Sequence, residues 1–247
     1  MPPSPSVGTS TDEVERLLDL AGIESILAPR VRAFTRRVAL LAGDLTDTEL
    51  ERLVPAVQAA FAPSSLRDAV ASFMAGEADE GSVATVLAWQ ADGANAEARR
   101  IATAYQPPLT LEAYTRSLMK DPPREGRIRV MLEWAESQGA GELFVLLDEA
   151  LTEAAYAVWA EFRASAPSFT PTAGAELQTR LTDSFNASMV TLLRSHESVP
   201  DSVLRTATAE YSTDPGQWYV QTYSLAVAEA VRAAGKQVAA ELRGASF

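Results

Sequence analysis

Apolar residues recur three and four positions apart along almost the whole chain. Strand-type alternation of useful length is absent. The pattern predicts an all-α protein of about a dozen helices. Val14, Leu17, Leu18 and Ala21 share one face of a first helix, expected from Asp12 to Ala28 with Gly22 as a weak point. Val31, Phe34, Val38 and Leu41 make the stripe of a second, starting at Pro29 and stopping at Gly43. Thr46-Asp47-Thr48-Glu49 has capping-box spacing, in which the Thr46 hydroxyl accepts the Glu49 N–H and the carboxylate reaches back. The helix it opens carries Leu50, Leu53, Val57 and Phe61, and Pro55 should kink it. Two further ladders come next, Leu66-Val70-Phe73-Met74 and Val83-Val86-Leu87 leading to Trp89. A helix from Ala94 to Tyr105 and a short one capped by Thr110 complete the first half. Asp121-Pro122-Pro123 bars helix continuation and marks a joint.

The second half repeats the plan. Met131-Leu132 opens it, and Gly139-Ala140-Gly141 reads as a turn. A long helix runs from Leu143 to Phe162, and residues 164–171 form a loop by composition. Leu177, Leu181, Phe185, Met189 and Leu192 form the next ladder, and Val203 and Leu204 lead to Tyr211. Asp214 suits the N-cap and Pro215 the N1 position of the last and longest helix. Its seam is Val220, Tyr223, Val227, Val231, Ala234, Val238 and Leu242. Such a seam packs in its own bundle or pairs with the same helix of a second chain.

Leu17, Phe61, Phe73 and Trp89 have counterparts in order at Met131, Phe162, Phe185 and Tyr211. The expected organisation is a flexible tail over 1–11, a helical repeat over 12–121 and a related repeat over 122–247, packed as an elongated or bilobal array. The spacing between counterparts varies, so insertions and deletions separate the two units.

Composition narrows the chemistry. The net charge of −12 opposes binding to nucleic acid or anionic lipid. The absence of cysteine excludes disulfides, thiolate catalysis and zinc–thiolate sites. No apolar run is long enough for an integral membrane segment. The Pro- and Ser-rich start resembles the mature N-terminus left when an export signal is removed, and equally suits the frayed end of a cytoplasmic protein.

Three elements carry a family resemblance. They are Leu17-Leu18-Asp19-Leu20-Ala21-Gly22, Ala60-Phe61-Ala62-Pro63, and the closing Tyr211-Ser212-Thr213-Asp214-Pro215-Gly216-Gln217. Together they resemble the bacterial family called domain of unknown function 2059, in tandem. Gln217 stands where that family has Arg, and the first half lacks the proline of the closing turn. The resemblance implies an exported, helical envelope protein, periplasmic or secreted, and brings no catalytic residues.

Few residues point to catalysis. His196 is the only histidine, so a two-histidine metal site is excluded, and a solvated histidine at a helix C-terminus is expected. Asp148, Glu149 and Glu153 read as a solvated acidic face, with cation binding or acid–base work as the alternative. Asn186-Ala187-Ser188 matches a glycosylation sequon inside a helix. The pairs Arg36-Arg37 and Arg99-Arg100 are too sparse for a nucleic-acid footprint. Trp134, Tyr156, Trp159, Trp218, Tyr219 and Tyr223 cluster in the second half and form the candidate binding groove; core packing is the competing explanation. No motif calls for a cofactor. The sequence therefore predicts a non-enzymatic binding or assembly module of the envelope, with a protein partner or homodimer through the last helix. The alternative is a carrier of a small apolar ligand or lipid in a cleft between the two units.

Overall fold

The structure is a computed structural model that describes residues 11–43, 45–164, 166 and 168–244. Most of the N-terminal tail lies outside the described residues, as do the side chains of Val31 and Leu41. The described residues form an all-α fold of twelve helices. They are α1 (Thr11–Ala21), α2 (Ile23–Ala42), α3 (Asp47–Ala60), α4 (Pro63–Glu77), α5 (Glu80–Asp92) and α6 (Ala94–Ala104). After these come α7 (Leu111–Leu118), α8 (Glu125–Ser137), α9 (Ala140–Phe162), α10 (Gly174–Ser195), α11 (Asp201–Tyr211) and α12 (Asp214–Gly244).

Local chemistry sets most boundaries. The Thr46–Glu49 capping box forms as expected, with both reciprocal bonds made. Asp79 and Thr110 cap α5 and α7 by accepting the amides of Ser82 and Ala113. Helix α3 runs unbroken through Pro55. Three boundaries differ from the sequence reading. Gly22 is a break, not a weak point: its φ of 66° is left-handed, so the chain changes direction there. Helix α2 therefore begins at Ile23 and passes through Pro29. The turn at Gly139 is tighter than expected, because that residue's φ of 61° lets α9 start at Ala140. The cap of α12 is Thr213, whose hydroxyl accepts the Gly216 N–H at 3.2 Å, one residue before the expected Asp214.

Helix α12 is the axis of the molecule. Sixteen of its 31 residues are buried, and they include the whole seam from Val220 to Leu242. It packs most extensively on α9, then on α4, α5 and α3. Alanines and Gly235 let the α9 and α12 backbones approach closely: a Cβ on Gly235 would stand 2.3 Å from the Ala154 Cβ. The seam is thus covered by the chain's own helices, and a partner on α12 would have to use its remaining polar face.

Two apolar cores result, and both cross the joint at Asp121-Pro122-Pro123. The larger draws on α1–α5, α9 and α12, with Tyr211 from the end of α11, and in it Phe34 stacks on Phe61 at 4.2 Å. The smaller is built around Val130, Met131, Trp134 and Leu204, with Ala98 and Met189, from α6, α8, α10 and α11. Helix α1 packs on α4 and α5, and α8 packs on α10 and α11. Helix α5 meets α6 and α12, and α11 meets α12 and α6. Each half therefore sends its following helix across to the other, and α2 lies against α9.

Candidate functional site

The two cores meet at a polar seam built from the ends of α5 and α11. Gly93 lets α6 start directly after α5: a Cβ there would lie 2.5 Å from Glu210 Oε1 and 2.6 Å from the Trp89 carbonyl. The N-terminus of α6 has no side-chain cap from its own residue Gly93. Glu210 supplies it from the other half, accepting from the Ala94 N–H at 2.8 Å and the Asn95 N–H at 3.1 Å. Behind this cap lie two buried amides, Gln90 and Asn95. Asn95 Nδ2 donates to Gln90 Oε1 at 2.7 Å. Arg99 donates to the same oxygen at 2.9 Å and to the Gln90 carbonyl at 2.7 Å.

Aromatic rings frame the seam. Trp89 meets Tyr211 edge-on at 5.0 Å and Tyr219 at 6.0 Å, and Tyr219 stacks on Tyr223 at 5.6 Å. Trp134 packs on His196 at 4.5 Å. A cavity of about 450 Å³ is bordered by Arg99, Trp134, His196, Tyr219 and Tyr223. That volume falls in the range of small-molecule sites, roughly 300–1,000 Å³.

Burial sets the charge state of the lining. It holds the phenols of Tyr211, Tyr219 and Tyr223 above the ordinary tyrosine range, so all three stay protonated. It also pushes the His196 imidazole down to about 4, against the pull of the Leu192 carbonyl, with Arg127 adding to the depression. The helix-end position expected for His196 is correct, but the expected solvation is not: desolvation against Trp134 outweighs the favourable α10 C-terminus. Ser195 Oγ stands 2.8 Å from His196 Nδ1, yet the pair is poorly suited to catalysis. An imidazole that protonates near pH 4 is a weak base at neutral pH. The charge that bears on it is Arg127, where an orienting carboxylate would be needed.

Tyr223 OH and Trp134 Nε1 are sealed from solvent and lack acceptors among the described residues, as do Trp89 Nε1 and Trp159 Nε1. Arg99 is half-buried, and no described carboxylate pairs with it. Arg37, Arg163, Arg180 and Arg232 are half-buried too, and each meets a carboxylate.

Of the six aromatics singled out in the sequence, Trp134, Tyr219 and Tyr223 share this cavity. Tyr156 and Trp159 pair with each other elsewhere on α9, at 5.7 Å. Tyr156 borders a separate cavity of about 440 Å³ with Phe169, Asp148 and Arg180. Trp218 is half-buried and donates to the Glu77 carbonyl at 3.0 Å. The acidic face is solvated only in part, because α9 is central and other helices bring arginines to it: Glu149 is buried, while Asp148 and Glu153 stay partly exposed. Asp148 pairs with Arg37 at 2.7 Å and Arg180 at 2.6 Å, buried Glu149 with Arg180 at 3.2 Å, and Glu153 with Arg232 at 2.8 Å. Among the described residues no cluster of three acidic or histidine side chains is placed to hold a metal ion. No described helix is long and apolar enough to cross a membrane.

Gln90 and Asn95 do not stand out in the sequence, and Arg99 does so only as one of an adjacent basic pair. The available signal was Gln90 and Asn95, two amides flanking a Gly between helices that are otherwise apolar on one face. Comparison with protein-family models, curated proteins and solved structures returns no match.

Proposed function

We propose that this chain is a non-enzymatic binding protein that holds a small organic ligand in the cavity between its two cores. The observation that carries the reading is the lining. The cavity gathers the polar groups of Arg99, Gln138, Ser195 and His196 beside Trp134, Tyr219 and Tyr223, the mixture of apolar surface and a few polar groups that small-molecule sites have. The cavity also joins elements from both halves, so a ligand there would stiffen the joint between them. Export to the periplasm and membership of the tandem family remain part of this reading, supported by the N-terminal composition and the three motif elements.

The duplication belongs to the same proposal. Its support is the paired pattern of helix contacts, in which α1, α4, α5 and α6 correspond to α8, α10, α11 and α12. The expected counterparts Trp89 and Tyr211 touch each other, as equivalent residues do at a local two-fold axis. In this scheme α9 stands for α2 and α3 together, α12 is an extended α6, and α7 has no counterpart.

The test is thermal unfolding of the full chain with small aromatic and amphiphilic compounds, alongside Ala102→Phe, which fills the cavity wall. A ligand at a hundred times its Kd should stabilise the wild type by about 2.7 kcal/mol. The same ligand should leave Ala102→Phe unmoved. Equal stabilisation of both proteins, or none of either, would sink the reading.

A further inference from the structure

We infer that the ligand of this cavity is a neutral polyol ring, a sugar or cyclitol, whose hydroxyls meet those of Tyr219 and Ser224 and the amides beside them. This rests on the binding-site reading above and names the ligand class.

The first argument is the kind of polar group present. Thr103, Ser195, Tyr219 and Ser224 bring hydroxyls to the cavity, and Asn95 and Gln138 bring amides. Each such side chain both donates and accepts. A ring hydroxyl has the same double capacity, so it answers either half of these groups. A polyol ring is also amphiphilic, and its C–H faces suit Leu143, Leu192 and Val220 in the same lining.

The second argument is what the fold leaves unmade. Ser224 is 5% exposed and Tyr219 is 6% exposed. Among the described residues neither hydroxyl has a hydrogen-bond partner. Tyr223 OH is sealed, but these two atoms are not, so they open onto the cavity that their residues border. Ser188 and Thr208 donate to the carbonyls four residues earlier in their helices, and Ser224 makes no such bond. Buried hydroxyls normally find a partner, and a hydroxylated guest supplies one. A wholly apolar guest would leave both unpaired, which is how polar sites reject analogues that lack a hydroxyl.

The third argument is charge. The chain has 33 acidic residues, yet among the described residues no Asp or Glu borders the cavity. A cationic guest would face Arg99 without a counter-charge. Arg99 is already oriented by its two bonds to Gln90 oxygens. His196 is uncharged at neutral pH, because burial holds it down to about 4. A carboxylate only accepts, so it would leave the acceptor side of the hydroxyls and amides unused.

The experiment titrates the full chain by calorimetry with methyl β-D-glucopyranoside, methyl β-D-galactopyranoside, methyl α-D-mannopyranoside and myo-inositol. Cyclohexylmethanol is the apolar control and D-glucuronate the anionic one. At least one polyol should bind at least about tenfold more tightly than cyclohexylmethanol. For that polyol, Ser224→Ala and Tyr219→Phe should each weaken binding about fivefold, and should move cyclohexylmethanol less. Ala102→Phe should abolish binding of every probe. Circular dichroism checks that each variant folds, and if Tyr219→Phe does not, Ser224→Ala decides. Cyclohexylmethanol or D-glucuronate binding at least as tightly as every polyol overturns the polyol proposal and leaves the cavity reading standing. A polyol preference unmoved by both hydroxyl variants also overturns it. Binding of no probe removes the cavity reading and the proposal with it.

Discussion

Helices α12 and α10 carry the same kind of apolar ladder and end in different surroundings. Every seam residue of α12 from Val220 to Leu242 is buried. Of Leu177, Leu181, Phe185, Met189 and Leu192 on α10, only Met189 is. The difference lies beside the ladders. Around the α12 seam stand Ala226, Ala228, Ala230, Gly235 and Ala239, small enough for α3, α4, α5 and α9 to close in from several sides. Beside the α10 ladder stand Gln178, Thr179, Thr182, Asp183 and Asn186, which stay in water. Helix α10 is held by α9, α8 and α7 along one stripe. A ladder thus specifies which face turns inward, and its flanking residues specify how much is covered. Stability should follow, with α10 opening locally before the α9–α12 pair does.

The strongest test compares truncations in the two environments. Leu147 on α9 is 1% exposed in the core that α12 crosses, and Leu181 on α10 is half-buried. Leu147→Ala should cost about 3 kcal/mol and Leu181→Ala about 1 kcal/mol, read from urea unfolding. Equal losses would mean that α10 is as well covered as α12.

A second pair sharpens the cause. Gly235→Ala places a methyl against the Ala154 Cβ and Cα, at 2.3 and 2.7 Å. The α9–α12 pair must part, and the gain in helix propensity does not offset this; the expected loss is about 2 kcal/mol. Gly76→Ala in α4 has open space around the new Cβ and should stabilise by about 0.5 kcal/mol. If both variants gain stability, close backbone approach is not what covers α12.

These contrasts also mark what the sequence makes legible. Helix type, helix order and most caps follow from local chemistry, because the Thr46–Glu49 box and the Asp79 and Thr110 caps act within one turn. Gly22 was harder, since its left-handed φ becomes evident only where the chain turns. The environment of Asp148 and Glu149 was illegible, because the arginines that neutralise them come from α2 and α10, far away in sequence. The cavity was half legible. Large aromatics announced Trp134, Tyr219 and Tyr223, but the seam that holds Gln90, Asn95 and Arg99 depends on Glu210, which caps α6 from 111 residues beyond Arg99.

Charge deletion separates how the two helices are attached. Arg180 ties α10 to α9 through Asp148 and Glu149, and it also donates to Thr172 at 2.6 Å. Arg180→Gln leaves Glu149 buried without its cation, at a cost of about 1 kcal/mol after allowance for partial exposure. Hydrogen exchange should show α10 losing more protection than the rest of the protein. Arg232→Gln removes the pair with Glu153, but α12 keeps its apolar cover, so its amides should stay protected. Equal loss in both helices would contradict the idea that α10 depends on its ionic anchor.

The smallest effect at neutral pH comes from His196 at the end of α10. Its folded pKa is depressed to about 4, chiefly by burial, from an unfolded value of 6.5. Between those values the unfolded chain binds the proton and the folded chain does not. This contribution to stability is therefore fully present above pH 6.5 and is lost as pH falls toward 4, where the slope ends. Because the ring is not fully enclosed, the loss should be on the order of 1 kcal/mol. Glu49 acts in a lower window, from 4.5 down to about 2, because the Arg163 hydrogen bond and then the Thr46 N–H hold its carboxylate ionised. His196→Phe keeps a ring against Trp134 and removes only the upper window. Urea midpoints at pH 7, 5 and 3.5 should converge for wild type and variant at pH 7 once their constant offset is subtracted, and diverge below pH 6. Parallel profiles across the whole range would show that the end of α10 is as open to water as its outer face, and that Trp134 does not seal the cavity there.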